Sequence, residues 1–246
     1  MAYKNIVLTD ANEKDYFFEE AIKILRTNVQ FTGKNNKVIL LTSCYSGEGK
    51  SDISFNLAVH LGKAGKKVLL IDADIRKSVY KTRYNIGEET FGLSQYLSGQ
   101  VEQIDEVVYK TNFENLYMIL SGPYAPNPTE ILGDEQFGKL LKAAKQVFEY
   151  VIVDTPPLGT VVDAAVIGQY CDGAIMVIES GHASYRLTQK VKAQLEKSGC
   201  KVLGAILNKV TRETKGYRSR YGYGYGYGYG YGRTYGYVDK PYGGEE

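Results

Sequence analysis

One stretch limits this chain more than any other: Leu40-Leu41-Thr42-Ser43-Cys44-Tyr45-Ser46-Gly47-Glu48-Gly49-Lys50-Ser51. An apolar run leads in and a helical pattern, Ser51–Lys63, leads out. Gly47 and Gly49 allow backbone N–H groups to turn inward around an anion, and the start of the following helix adds a positive dipole. Lys50 is placed to reach the β- and γ-phosphates of a nucleotide, and the Ser51 hydroxyl to ligate Mg²⁺. Ser46, Gly47, Glu48, Gly49, Lys50, Ser51 and Asp52 are therefore the expected nucleotide-binding set. The bland alternative is a glycine turn between a strand and a helix; the Gly-Lys-Ser triplet in this context argues against it. Two positions depart from the general pattern. Cys44 stands where its first glycine falls, and Asp52 brings a carboxylate close to the phosphates.

Around the loop, apolar runs alternate with helical patterns. Val38–Thr42, Val68–Asp72, Leu116–Leu120, Val151–Asp154, Ala174–Glu179 and Val202–Asn208 read as strands. Their continuous apolar character suits parallel strands covered on both faces. Gln136–Phe148 and Tyr185–Ser198 have helical length and pattern. The predicted fold is α/β: a doubly wound, mostly parallel sheet with helices on both faces and ligands bound beyond the C-terminal strand ends. The sequence divides into residues 1–36, with one helix at Glu13–Phe31; 37–211, the α/β domain; and 212–246, a tail.

Two strands end in carboxylates at the rim where the glycine loop also sits. In Leu69-Leu70-Ile71-Asp72-Ala73-Asp74-Ile75-Arg76, Asp72 and Asp74 share a face if the strand runs on. In Val151-Ile152-Val153-Asp154-Thr155-Pro156-Pro157, Asp154 is placed to hold Mg²⁺ directly or through water. Strand-end aspartates also cap turns, and singly each could be that. His60 and His182 have no partner pattern and read as a helix-surface and a loop residue.

From Tyr221 to Gly232 tyrosine and glycine alternate without a break, and residues 216–246 hold ten of each. Glycine at every second position carries a large ordering cost and supplies no core, so the tail reads as disordered. The 30 basic and 28 acidic residues give a net charge of +2, so no specific nucleic-acid partner is expected. Arg218, Arg220 and Arg233 among the tyrosines leave a minor alternative, a tail that stacks on single strands or condenses. Three scattered cysteines fit a reducing compartment. No apolar run approaches the roughly 20 residues of a membrane span, and Met1 to Asp10 lacks a signal-peptide core.

The glycine loop, the Asp-x-Asp-x-Arg element and the Asp154-Thr155-Pro156-Pro157 strand end together resemble the Walker A, Walker A′ and Walker B motifs of the bacterial tyrosine kinases of capsule and exopolysaccharide synthesis (BY-kinases). Glu20-Ala21-Ile22-Lys23-Ile24-Leu25-Arg26-Thr27-Asn28, Ser121-Gly122-Pro123 and Pro156-Pro157-Leu158-Gly159 agree. MinD/ParA-type ATPases are the nearest rival, with the same expected fold. They carry an extra lysine where Tyr45 stands here. The resemblance implies transfer of the γ-phosphoryl of MgATP to tyrosine. Lys50 would hold phosphates, Ser51, Asp74 and Asp154 the Mg²⁺, Asp72 would take the phenol proton, and Arg76 would stabilise phosphoryl charge or touch a neighbouring subunit. Asn208 would face the adenine, though an ordinary strand-end asparagine reads almost as well. Tyr221, Tyr223, Tyr225, Tyr227, Tyr229, Tyr231, Tyr235 and Tyr237 become the expected phosphoacceptors, modified in trans within a ring. The family's assembly helix carries Glu-x-x-Arg-x-x-Arg, and Glu20, Lys23 and Arg26 occupy those places. The resemblance further implies a membrane-embedded activator that recruits a cytoplasmic kinase to the inner face of the membrane, and a tyrosine phosphatase. The length suggests the form in which kinase and activator are separate chains.

Overall fold

In the computed structural model residues 3–9, 15–87 and 89–210 are described, and they belong to one compact unit, Met1–Thr211. Glu13 and the tail tyrosines lie outside the described residues.

The chain runs β1 (Lys4–Asn5), α1 (Tyr16–Phe31), β2 (Val38–Ser43), α2 (Lys50–Lys63), β3 (Val68–Asp72), α3 (Tyr80–Arg83), α4 (Leu93–Leu97), β4 (Val108–Lys110), β5 (Leu116–Ile119), α5 (Pro128–Gly133), α6 (Glu135–Val147), β6 (Tyr150–Asp154), α7 (Asp163–Gly168), β7 (Gly173–Glu179), α8 (Tyr185–Lys197) and β8 (Val202–Asn208). One sheet holds all the strands in the order β1-β4-β5-β3-β6-β2-β7-β8. Every pairing is parallel except β4 with β5. The expected strands are all present. The additions are β1 and β4, two and three residues long, too short to leave a periodic signal.

Strand period explains the two cores. Leu40, Leu69, Ile71, Val151 and Val153 point to one face, against Phe137, Leu140, Leu141, Ile167, Val191 and Leu195 of α6, α7 and α8. Their alternates Ile39, Leu41, Val68, Leu70 and Ile152 point to the other, against Phe55, Leu57 and Leu61 of α2 and Val29 of α1. Both sides of β2, β3 and β6 are thus sealed, which is why these strands read as unbroken apolar runs.

Three helix starts follow from capping. The Asp15 carboxylate accepts from the Phe18 N–H, the Asp134 carboxylate from the Gln136 N–H and Ser184 Oγ from the Leu187 N–H, each satisfying a donor that the first turn leaves free. α2 is buried along almost its whole length, because α1 covers the face that the sheet does not. His60 therefore is not the surface residue expected from sequence. It is buried, with Nε2 3.0 Å from the Glu19 carboxylate on α1. Burial, outweighing the pull of Glu19, holds its imidazole below the usual range.

Candidate active site

Parallel pairing brings the critical strand ends together. Leu41 and Asp72 are both register partners of Asp154, so the loop after β2 and the carboxylates ending β3 and β6 meet at one edge. Gly47 and Gly49 both take φ +86°, the left-handed region that only glycine enters freely. At Gly49 a Cβ would also lie 2.2 Å from Asn208 Nδ2. That amide donates to the Glu48 carbonyl at 2.8 Å, and Lys209 Nζ donates to the Gly47 carbonyl at 2.8 Å and pairs with Glu179 at 3.0 Å. The Glu48 side chain is turned inward: Oε2 accepts from the Tyr45 N–H and Oε1 from the Glu179 N–H. Its carboxylate holds the loop's shape, while its main chain lines the cavity. Across the loop, Gly159 packs where a Cβ would meet the Cys44 carbonyl at 2.1 Å.

The loop borders a cavity of about 310 Å³, lined by 45–52 together with Asp74, Arg76, Lys77, Arg83, Pro156 and Pro157. Lys50 is 7 % exposed, and its Nζ lies 2.9 Å from Asp154 Oδ1 and 3.3 Å from Ser51 Oγ. Ser54 Oγ also donates to Asp154 Oδ1, at 3.0 Å. Asp154 is fully buried, and its Oδ2 has no hydrogen-bond partner among the described residues.

Asp72 stands behind the cavity wall, 1 % exposed. Ser78 Oγ donates to its Oδ2, and the Asp74 N–H approaches its Oδ1 at 3.3 Å. Burial pushes its carboxyl up to about 7; the Ser78 bond opposes the shift, and the nearby charges of Asp154 and Asp74 add to it. Arg76 is held by α7: Nε and Nη2 grip the two oxygens of the fully buried Asp163, Nη2 also donates to Thr129 at 2.9 Å, and Thr129 donates to Asp163 at 2.7 Å. Asp52 lies 3.7 Å from Arg83 and supports Asn56.

Sequence reasoning missed four residues. Ser54 was findable, since it lies one helical turn beyond Lys50 on the same face. Asp163 and Ser78 carried no pattern. Neither did Tyr80, which is fully buried and donates to the Ser51 carbonyl at 3.0 Å. Burial, with Asp154 and Asp72 nearby, drives its phenol well above the usual range. The expected assembly residues lie on α1, where Lys23 and Glu20 pair at 2.6 Å and Arg26 is half-buried.

A glycine cradle with a buried lysine, set against strand-end aspartates on a parallel sheet, defines a P-loop nucleotide-binding domain, and a family model described as an AAA domain matches residues 36–198. Over 199 residues the chain is 45% identical to the tyrosine-protein kinase CpsD of Streptococcus agalactiae, covering 81% of this chain and 85% of the relative. The kinase domain of the Escherichia coli tyrosine kinase ETK superposes with a TM-score of 0.75 at 32% identity, covering 85% of this chain and 80% of that one. The septum site-determining protein MinD of Pyrococcus horikoshii, solved with Mg-ADP, gives 0.60 at 26% identity, covering 70% and 69%. This chain belongs to the bacterial P-loop tyrosine-protein kinases. Membership settles the choice that the sequence left between a kinase and a partitioning ATPase, and it carries ATP binding with it.

Proposed function

We propose that this kinase transfers the γ-phosphoryl of MgATP to tyrosines of its own C-terminal cluster, residues 221–237, in trans, and that it thereby regulates capsular or exopolysaccharide synthesis and export. The observation that carries the reading is the buried group formed by Lys50, Asp154 and Asp72 beneath the glycine loop. In the transfer, the bond from Pγ to the β,γ-bridging oxygen breaks, a bond from the phenolic oxygen to Pγ forms, and the phenol loses its proton.

Each residue has a part. Loop amides and Lys50 hold the phosphates, so binding asks Lys50 to divide its charge between Asp154 and the nucleotide. Ser51, Asp154 and Asp74 fit Mg²⁺. Asp154 Oδ2, buried and without a hydrogen-bond partner among the described residues, is an acceptor that a cation would satisfy, and a set of few protein oxygens suits an ion that keeps waters and phosphate ligands. When bound, Mg²⁺ neutralises charge on the phosphates. Asp72 accepts the phenol proton. At about 7 its carboxyl is a better match for a phenol near ~10 than an ordinary aspartate near ~4. Ser78 Oγ, bonded to Asp72, holds that carboxyl in position. Arg76, already neutralised by Asp163, fixes the wall between β3 and α7. Asn208 props the loop that the adenine end of the nucleotide approaches.

Glu20, Lys23 and Arg26 on α1 belong to the contact between copies in a ring. Lysine at the middle place lacks the fork of arginine, so that contact is weaker. A membrane-embedded activator recruits the cytoplasmic kinase to the membrane, and a tyrosine phosphatase resets it. The test is mass spectrometry of the full chain after incubation with MgATP, beside Lys50→Met. Phosphate on the 221–237 tyrosines in the parent and none in the folded variant supports the reading. Phosphate release without tyrosine modification would refute it.

A further inference from the structure

Beside the catalytic cavity lies a second one of about 260 Å³, lined by Asp74, Ile75, Arg76, Lys77, Ser78, Lys81, Ser121, Gly122 and Tyr124. The two share Asp74, Arg76 and Lys77 in their walls, so what enters one lies next to what enters the other. The charges in the second are unevenly committed. Arg76 is held by Asp163. Lys77 and Lys81 form no ion pair with another described residue. The one carboxylate, Asp74, also faces the catalytic cavity and receives the Lys77 N–H at 2.9 Å. Tyr124 stands at the rim, 68% exposed, and offers an aromatic face. Two free ammonium groups, a hydroxyl and an exposed ring in a concave wall suit an aromatic dianion.

The chain carries the precursor of such a group in quantity. In its tail tyrosine occurs at every second position from Tyr221 to Tyr231. In an extended segment, alternate residues project from one side about 7 Å apart. One phosphorylated side chain and the next unmodified tyrosine would therefore lie on the same side, one such interval apart.

We propose that the second cavity is a phosphotyrosine subsite for this tail, and that a tyrosine already modified docks against Lys77 and Lys81 and presents its unmodified neighbour for transfer. The inference rests on the tail as acceptor, and it adds a direction: modification spreads from the first phosphate to adjacent tyrosines. A phosphotyrosine brings −1.5 to −2 charges and strong acceptor oxygens. Against two lysines in a partly enclosed wall, a gain of about tenfold in affinity over the unmodified peptide is expected.

The test uses the full chain and two synthetic peptides with the sequence of residues 221–232, one unmodified and one phosphorylated at Tyr227. Binding is read by fluorescence anisotropy without nucleotide, and transfer by mass spectrometry with MgATP. The parent chain should bind the phosphorylated peptide about tenfold more tightly and modify Tyr225 or Tyr229 first. Lys81→Ala lies outside the catalytic cavity; it should erase both preferences and leave the rate on the unmodified peptide unchanged. Circular dichroism confirms that it folds, and Lys81→Arg should restore the preference. Equal affinities for the two peptides, or a preference that survives Lys81→Ala, overturn the subsite. Tighter binding of the phosphorylated peptide with no transfer to either leaves the subsite standing and refutes the tail as acceptor.

Discussion

Replacing Asp72 with asparagine should stabilise the folded chain in alkaline buffer. The carboxyl is 1 % exposed and is raised from 3.8 to about 7, so below neutrality the folded state holds a proton that the unfolded state has released. A group raised in this way contributes stability that is fully present below pH ~4 and is lost as pH climbs through ~7. The full difference of about 3 pH units is worth about 4 kcal/mol at ~1.4 kcal/mol per unit. Asparagine keeps an oxygen to accept from Ser78 and never ionises. Between pH 5 and pH 8.5 only the roughly two units from pH 5 to the raised value are sampled, so Asp72→Asn should gain about 3 kcal/mol over the parent across that range. Urea unfolding in EDTA at both pH values measures this, with the slope against denaturant checked for constancy. An equal stability difference at the two pH values would refute the argument that burial raises this carboxyl. The same substitution should lower transfer to tyrosine while leaving nucleotide binding within about threefold, since Asp72 does not line the nucleotide cavity.

Gly49→Ala should abolish measurable ATP binding in calorimetry, because the φ of +86° strains any residue but glycine and a Cβ would push the Asn208 amide off the Glu48 carbonyl. Asp163→Ala should cost about 2 kcal/mol in chemical unfolding, by stripping the carboxylate from Arg76 and leaving the Thr129 hydroxyl without its acceptor. Asp163→Asn should recover part of the loss. His60 is held below its usual range by burial, so its contribution is complete above pH ~6.5 and is lost as pH falls. Among the groups facing it are Glu19, Lys63 and Arg26. Thermal unfolding of His60→Gln should accordingly show less acid sensitivity than the parent between pH 7 and pH 5.

The central strands β2, β3 and β6 were legible because both their faces are buried, so an unbroken apolar run announced each one; β8, at the sheet edge, reads as apolar although none of its residues is buried. Lys4–Asn5 and Val108–Lys110 escaped because pairings of two and three residues leave no periodic pattern. The glycine loop was legible because three constraints coincide in one stretch: positive φ, a lysine, and a helix start. What stood behind it was not. Tyr80 reaches the Ser51 carbonyl from 29 residues away, Asp163 grips Arg76 from 87, and Asn208 props Glu48 from 160. Contacts across such separations are set by strand order, which sequence periodicity does not encode. Asp72 shows the same limit in chemistry. Its place at a strand end was readable, but its burial behind the cavity wall, which raises its carboxyl against the pull of the Ser78 bond, was not.

Asn208 and Lys209 close the last strand and also prop the glycine loop from behind. The tyrosine repeat begins about a dozen residues further along the same backbone. Any displacement of the end of β8 is thus delivered to the two residues that hold Gly47 and Glu48 in place. The same contacts work in reverse, so a filled cradle steadies the end of β8.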